Sequence, residues 1–328
     1  MGNIIANTSP AIRATVYSDM LLKQLEDGFL PEGLHRDVSD FGDGSLLQIP
    51  TIGQMPLFDI VEGEDTPLAA MDTGSITLQI TEHKGTGGYI SDELKEDGYK
   101  AAAVESEIVP QSLRSIKEAY ETDLLAQIQK QTLGNENAYN GFAHRIVASG
   151  TNKTLALDDI AYLKAAFDKA NVPDEGRIII LDPIAELTLN SNVGAQAFSN
   201  NPMFEGMVGE GFSKGRKFVR NIFGFDIWVS NRLPDATSAD GTISYTGATP
   251  PIGASGIVAA GDKVNVVMCV ADDSCKPFMG AWRRQPRVEG ERNVSKRRDE
   301  FHVTSRWGFG AQRLETCAAL ITSSTAYA

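Results

Sequence analysis

KAAAVESEIVPQSLRSIKEAYETDLLAQIQKQTL, residues 100–133, is the stretch on which the fold turns. Apolar residues recur at Val109, Leu113, Ile116, Tyr120, Leu124 and Ile128, in steps of three or four, which places them on one face of a helix. Arg114, Lys117, Glu118, Glu121 and Gln129 fall on the other face. Arg114 precedes Glu118 by four residues and Lys117 precedes Glu121 by four, a spacing at which opposite charges support a helix weakly in this order. Gly134 and Asn135 supply a stop. Pro110 lacks an N–H, so it either kinks one long helix or opens the second of two. At ~1.5 Å per residue such a rod spans most of a small domain and serves as a spine.

Downstream of the spine the pattern is mixed. LDDIAYLKAAFDKA, residues 157–170, reads as an amphipathic helix with Asp158 and Asp159 in its first turn, where acids suit the helix dipole. RIIIL (177–181), FGFDIWV (223–229) and KVNVVMCVA (263–271) are apolar runs of strand length, suited to a sheet covered on both faces. A short helix is expected over Pro183–Leu189, and Gly-, Asn- and Ser-rich loops over 190–215 and 235–255. The chain ends on a last strand, ETCAALIT.

Upstream, a helix is expected from Pro10 or Ala11 to about Glu26, as part of an arm. Residues 46–90 change character. Strand-like pieces occur at Leu46–Ile49, Phe58–Val61 and Ser75–Ile80, and the last alternates cleanly. Between Gln54 and Glu82 stand Asp59, Glu62, Glu64, Asp65, Asp72 and Glu82, with no Lys or Arg. An acidic two-stranded ribbon cannot build its own core, and an isolated hairpin is only marginally stable in water, so it needs something to lie on.

The chain carries 30 Lys and Arg against 43 Asp and Glu, a formal charge of −13, which argues against a general nucleic-acid binder. Hydrophobic residues make up 42%, enough for a core. Cys269, Cys275 and Cys317 are an odd set at uninformative spacing and read as thiols in a reducing compartment. No apolar run approaches the ~18 residues of a membrane helix, and the opening residues lack a basic start followed by a hydrophobic block, so no secretory signal is expected.

Trp282–Trp307 is the one basic block. It holds Arg283, Arg284, Arg287, Arg292, Lys296, Arg297, Arg298 and Arg306 against Glu289, Glu291, Asp299 and Glu300. It reads as a salt-bridged surface, a protein contact or a contact to nucleic-acid phosphates. Trp282, Trp307 and Phe309 beside it are either contact anchors or core. Catalytic signatures are missing. There is no phosphate-binding GxxxxGK[ST], and Gly209, Gly211 and Gly215 have the wrong spacing. His35, His83, His144 and His302 are scattered without HExxH, there is no GxSxG, and no cofactor or metal site is expected. An acidic ribbon and a basic block in one chain invite docking between copies, and contact between unlike patches closes into rings or propagates. The candidate contacts are Asp59, Glu62, Glu64, Asp65 and Asp72 on one side, and Arg283, Arg284, Arg287, Arg292, Arg297 and Arg298 on the other.

The order of these parts resembles the major capsid proteins of tailed double-stranded-DNA bacteriophages, whose shell fold recurs in encapsulins and herpesvirus capsid floors. LLQIPTIGQ, FDIVEGEDTP and SITLQITEHKGTGGYISDEL (46–54, 58–67 and 75–94) are similar to the family's extended loop running into the spine. LDDIAYLKAAFDKANVPDEGRIIILDP (157–183) is similar to the opening of its axial domain, with VPDEGRIIILDP the most specific piece, and EFHVTSRWGFGAQRLETCAALIT (300–322) resembles the last strands of its peripheral domain.

The resemblance implies an α+β tailed-phage capsid fold. Its parts would be an N-terminal arm (1–45), an extended β-ribbon loop (46–90), the spine helix with the first part of the peripheral domain (91–150), an axial domain (151–278) and return strands of the peripheral domain (279–328). It implies a structural protein, not an enzyme, that forms pentamers and hexamers of an icosahedral shell around packaged DNA, contacted without sequence specificity. A portal and a separate scaffolding protein are implied partners, since 45 residues before the ribbon leave no room for a fused scaffold; no membrane is involved. The location would be the virion, after assembly in the host cytoplasm. Lys is absent from Gln54–Glu82 and Lys84 sits near the ribbon's base, so no covalent welding of the shell through Lys–Asn bonds is expected. An encapsulin-like compartment, an α/β enzyme binding a small molecule, and a nucleic-acid-binding module are the alternatives.

Overall fold

The computed structural model describes residues 29–326, apart from 32, 40–43, 54, 61, 64, 66–67, 72, 99–100, 133–137, 198–220 and 238–257, and apart from the side chains of 101–105, 130–132 and 193–197. The expected helix over residues 10–26 lies outside the described residues, as do Gly134 and Asn135 and most of both Gly-rich loops.

In chain order, a short strand β1 (Arg36–Asp37) precedes the ribbon strands β2 (Leu46–Ile52) and β3 (Thr73–Gln79). Strand β4 (Glu82–Ser91) runs into helix α1 (Asp92–Asp97), capped by the Ser91 hydroxyl accepting from the Leu94 amide. The spine is α2 (Ala101–Leu125), followed after a one-residue turn by α3 (Gln127–Thr132). Pro110 therefore lies inside one helix. Next come β5 (Ala138–Tyr139), β6 (Phe142–Ala143), β7 (Arg145–Val147), α4 (Leu157–Lys169), β8 (Arg177–Leu181), α5 (Pro183–Ala197), β9 (Asn221–Ile222), β10 (Phe225–Val229) and β11 (Lys263–Cys269). The chain closes with the long hairpin β12 (Phe278–Asn293) and β13 (Arg298–Ala311), then β14 (Cys317–Thr322).

Two sheets organise the molecule. The larger has the order β7-β14-β11-β8-β10-β9 and is covered on both faces. On β8, Ile179 and Leu181 face α4 and α5, where they meet Ile160, Leu163, Phe167 and Leu189. Ile178 and Ile180 face the other way, onto Leu124, Leu125 and Ile128 from the end of the spine. Burial on both sides explains why RIIIL and CAALIT read as unbroken apolar runs. Buried Asn265 is satisfied within the sheet: its Oδ1 accepts from the Asp182 amide at 2.7 Å and its amide donates to the Leu320 carbonyl at 3.0 Å. Asp159 accepts from the Ala156 amide at 3.0 Å and starts α4.

The smaller sheet has the order β1-β12-β13-β4. Its inner face packs on the middle of the spine, where Ile116 meets Val303 and Trp307. One helix thus contributes to both cores, which is the physical content of a spine.

Several expectations change. Residues 58–60 are not in a strand, and the ribbon pairs only over β2 and β3, from Leu46 opposite Gln79 to Ile52 opposite Thr73. Residues 82–91 belong to the smaller sheet, because β4 pairs antiparallel with β13 from Glu82 to Ser91. The helix expected over 183–189 continues to Ala197, so residues 190–197 are helical and not loop. The strand expected over 223–229 starts at Phe225, since Phe223 and Gly224 form a turn with positive φ. Strand β14 sits between β7 and β11 in the larger sheet, away from β13. Glu121 and Gln129, on the polar side of the spine by spacing, are buried.

Candidate inter-subunit surfaces

The ribbon has a rooted base and a bare tip. At the base, Leu78 and Ile80 pack on Met279 and Ala281, with Leu47, Ile49 and Ile76 beside them. Beyond it, Met55, Leu57, Phe58, Ile60, Leu68 and Met71 are exposed, Leu57 at 98% and Leu68 at 94%. Single exposed apolar residues are ordinary, but six within 17 positions form a patch of the kind that marks an interaction surface. Asp59, Glu62 and Asp65 are exposed in the same segment, and no described residue pairs with them. Glu64 and Asp72 lie outside the described residues.

The basic block is the β12–β13 hairpin, and part of its charge is spent internally. Arg292 donates to both Asp92 carboxylate oxygens, at 2.5 and 2.7 Å, and to Asp299 at 3.0 Å. Lys95 reaches Asp299 at 2.6 Å. These bonds fasten the hairpin's far end to α1 and hold the Asp92 and Asp299 carboxyls below the usual carboxylate range, through Arg292 for the first and chiefly Lys95 for the second. Arg298 donates to Glu300 at 2.6 Å and stands over the Tyr89 ring at 4.3 Å. Arg297 takes a positive φ of 48° in the hairpin turn. Arg287 pairs with Glu289 at 3.2 Å.

The end of the hairpin nearer the ribbon is irregular. Two irregularities interrupt β12, between Trp282 and Arg284 and between Arg284 and Arg287. The second contains Pro286, which cannot donate to the ladder. Such bulges re-aim side chains, and here they leave Arg283, Arg284 and Arg287 all exposed within five residues. Arg284 sits directly opposite Arg306 on β13, and Arg306 sits opposite His83 on β4. Spacing alone does not single out Arg306 or His83, since their adjacency follows from strand register. Trp282, Trp307 and Phe309 face inward instead, around Tyr120, and Trp307 is fully buried.

Elsewhere, the described residues gather no metal or nucleophile cluster. Among the described residues no group of His, Cys, Asp and Glu could hold a metal, and no helix is long and apolar enough to cross a membrane. Cys269 and Cys317 are buried thiols whose burial pushes them up from the ordinary thiol range, Cys317 to about 12, the opposite of an activated nucleophile. An open cleft of about 330 Å³ under the ribbon base, with Arg36, Ile52, Met279 and Arg313 among its lining, contains no acid–base pair set for chemistry.

The family model described as phage capsid protein matches residues 75–321, from the second ribbon strand to the last strand of the larger sheet. This chain belongs to that family. Solved structures share the fold across nearly the whole length. A structure of Mycobacterium phage Che8 is 15% identical with a TM-score of 0.65, covering 95% of this chain and 98% of that one. The capsid of cyanophage P-SCSP1u is 14% identical with a TM-score of 0.65, covering 96% and 94%. The capsid of Ralstonia phage GP4 is 10% identical with a TM-score of 0.64, covering 99% of each. No curated protein matches the chain in sequence. As a phage capsid protein of α+β fold, the chain is a structural component of the phage shell.

Proposed function

We propose that copies of this capsid protein assemble, as pentamers and hexamers, into an icosahedral head around double-stranded DNA. The observation that carries this reading is the ribbon: an apolar, acidic tip whose exposed side chains have no partner among the described residues of its own subunit, on a chain of the capsid family. Each ribbon lies on a neighbouring copy, its apolar side chains covered and its acids Asp59, Glu62, Glu64, Asp65 and Asp72 facing cations of the β12–β13 hairpin among Arg283, Arg284, Arg287, Arg292, Arg297 and Arg298. Arg287, Arg292 and Arg298, which are engaged in the subunit's own ion pairs, are the weaker candidates.

The axial domain, residues 151–278 joined by β7 and β14 in the larger sheet, points at the five- and six-fold axes. The arm (1–45), the loop (46–90), the spine segment (91–150) and the return strands (279–328) make up the rest. Packaged DNA is contacted without sequence reading, a separate scaffolding protein and a portal act in assembly, and assembly takes place in the host cytoplasm. Mass action then supplies much of the stability that a lone subunit lacks. Negative-stain microscopy and sedimentation of the expressed chain, with and without a scaffold, test this. Closed megadalton particles support it, and a compact monomer at every concentration refutes it.

A further inference from the structure

Resting on that assembly, we infer that the outer edge of β4 pairs antiparallel with the β4 edge of a second copy of this chain, across a two-fold axis at Gly87. Strand β4 ends the smaller sheet, with β13 on one side and no strand on the other. Its ten residues run against β13 without a register shift, and no other described backbone group hydrogen-bonds to them. An open strand edge is a template for another chain, and proteins blunt such edges by keeping them short, by proline, by a bulge or by a free charge. None of these devices is present on β4. Its one lysine, Lys84, turns to the spine, where its ammonium meets Asp123. The side chains on the opposite, outward side belong to His83, Gly85, Gly87 and Tyr89, all exposed.

The residues along this edge select a copy of itself. Turned about Gly87, each strand lays its Tyr89 opposite Gly85 of the other, and its His83 opposite Ser91. Tyr89 is 61% exposed, with the Arg298 guanidinium 4.3 Å from its ring centre. An aromatic ring opposite a glycine covers bare backbone across a strand pair, and the two-fold makes that contact twice. At the axis itself Gly87 puts no side chain in the way, and it is held to glycine by the Phe301 carbonyl oxygen, 2.2 Å from where a Cβ would stand. Charge agrees with the antiparallel sense. At one end of the edge, Arg306 beside His83 has no ion-pair partner among the described residues, and its Nε is buried without a hydrogen bond. At the other end, α1 exposes Glu93, Glu96 and Asp97, none of them paired among the described residues. The antiparallel contact sets the cationic end of each copy beside the acidic end of the other, whereas a parallel contact sets like beside like. Gly-rich strands slip easily in register, and complementary ends fix it. A two-fold contact closes at two copies, while neighbours within a ring of five or six meet head to tail. The β4 pair therefore joins subunits of different rings.

Paired cysteines in the full chain test the edge and its register. Particles of G85C/Y89C, and of H83C/S91C as a second pair, are treated with copper phenanthroline and run on non-reducing gels. Directly opposite Cα atoms in an antiparallel pair lie about 4.5–5.5 Å apart, within disulfide reach. Within one chain, positions 85 and 89 are about 13 Å apart, so no internal bond competes. Most chains of each pair are expected to run as dimers and no further. The wild type and the four single variants, which share the half-buried Cys275 as background, are expected to stay monomeric. Monomers from both pairs, or a ladder beyond dimers, overturn the inference while leaving the shell intact. Should the variants fail to assemble, amide exchange over residues 82–91 of the wild type decides: slowing by about tenfold or more in particles, at amides not bonded to β13, supports the pairing, and no slowing overturns it. A wild type that forms no particles at all overturns the assembly itself, and the β4 pair with it.

Discussion

Glu121 and Arg232 meet at 3.2 Å across 111 positions of sequence and tie the spine to the larger sheet. Both side chains are largely buried. The second oxygen of Glu121 accepts from the Leu30 amide at 3.2 Å, so the arm is fastened at the same point. Phe29 lies between the Arg114 and Arg232 guanidiniums, at 5.2 and 5.1 Å. Removing one partner of a buried pair leaves the other charge stranded, so Arg232→Met is expected to cost the unassembled subunit about 3 kcal/mol in urea unfolding. Adding Glu121→Leu to Arg232→Met is expected to recover most of that loss. Equal unfolding midpoints for wild type and the single variant would show that the pair carries no such weight.

The second junction is aromatic. Tyr120 on the spine stacks on Trp282 at 4.2 Å and 11°, meets Trp307 edge-on at 5.7 Å, and its hydroxyl lies 2.9 Å from His35 Nε2. Trp307 also donates to Asp123 at 3.1 Å. Trp307→Ala is expected to cost about 3 kcal/mol or more, as large-to-small changes do in a closed core. Tyr120→Phe, which removes one hydrogen bond, is expected to cost about 1 kcal/mol. Tryptophan fluorescence during unfolding reads both.

Acid should weaken the subunit through His144. Its ring is fully buried, with Nδ1 3.3 Å from the Phe142 carbonyl, Phe167 stacked at 5.6 Å and Tyr139 edge-on at 4.8 Å. Burial lowers its pKa from 6.5 to about 4, against a smaller opposing pull from the Phe142 carbonyl and the Glu315 carboxylate. The unfolded chain therefore binds the proton first. Stability falls as pH drops from about 6.5 and levels off near 4, a loss of about 3 kcal/mol in all. His144→Asn should flatten that part of the profile. Burial raises the Asp159 carboxyl, so its effect is opposite in sign and confined to the carboxylate range. A His144→Asn profile identical to wild type between pH 6.5 and 4 would rule this out.

Lys84 is occupied at home. Its ammonium lies 2.5 Å from Asp123 and 5.4 Å from the centre of the Trp307 ring. The stretch from Gln54 to Glu82 has no other lysine to offer. Mature particles boiled in detergent and reductant should run as a single band at the mass of one subunit. A ladder of higher masses would mean that copies are covalently joined.

Elements buried in a regular way are legible from sequence. The spine shows its period because one stripe of it faces two cores, and RIIIL stands out because both faces of β8 are covered. The hairpin is not legible: bulges and Pro286 break the alternation of β12, and charged residues on both strands hide a pleat. Strand β4 is missed because Gly85, Gly87 and Gly88 look like a break, when close approach to β13 is what demands glycine at 87. Glu121 looks solvent-facing on the helical wheel, and only the arm and the residues after β10, which fold over it from far away in sequence, bury it. The acidic and basic segments can be read from composition, but which arginines are spent on Asp92, Asp299 and Glu300 depends on cross-strand register.

In the proposed assembly the ribbon stays incomplete until a sister copy covers it. Amide hydrogen exchange over residues 46–80, compared between unassembled subunit and purified particles, measures this directly. Fast exchange beyond the base in the free subunit, slowed by about a hundredfold or more in particles, is the expected result. Equal exchange in both states would contradict it.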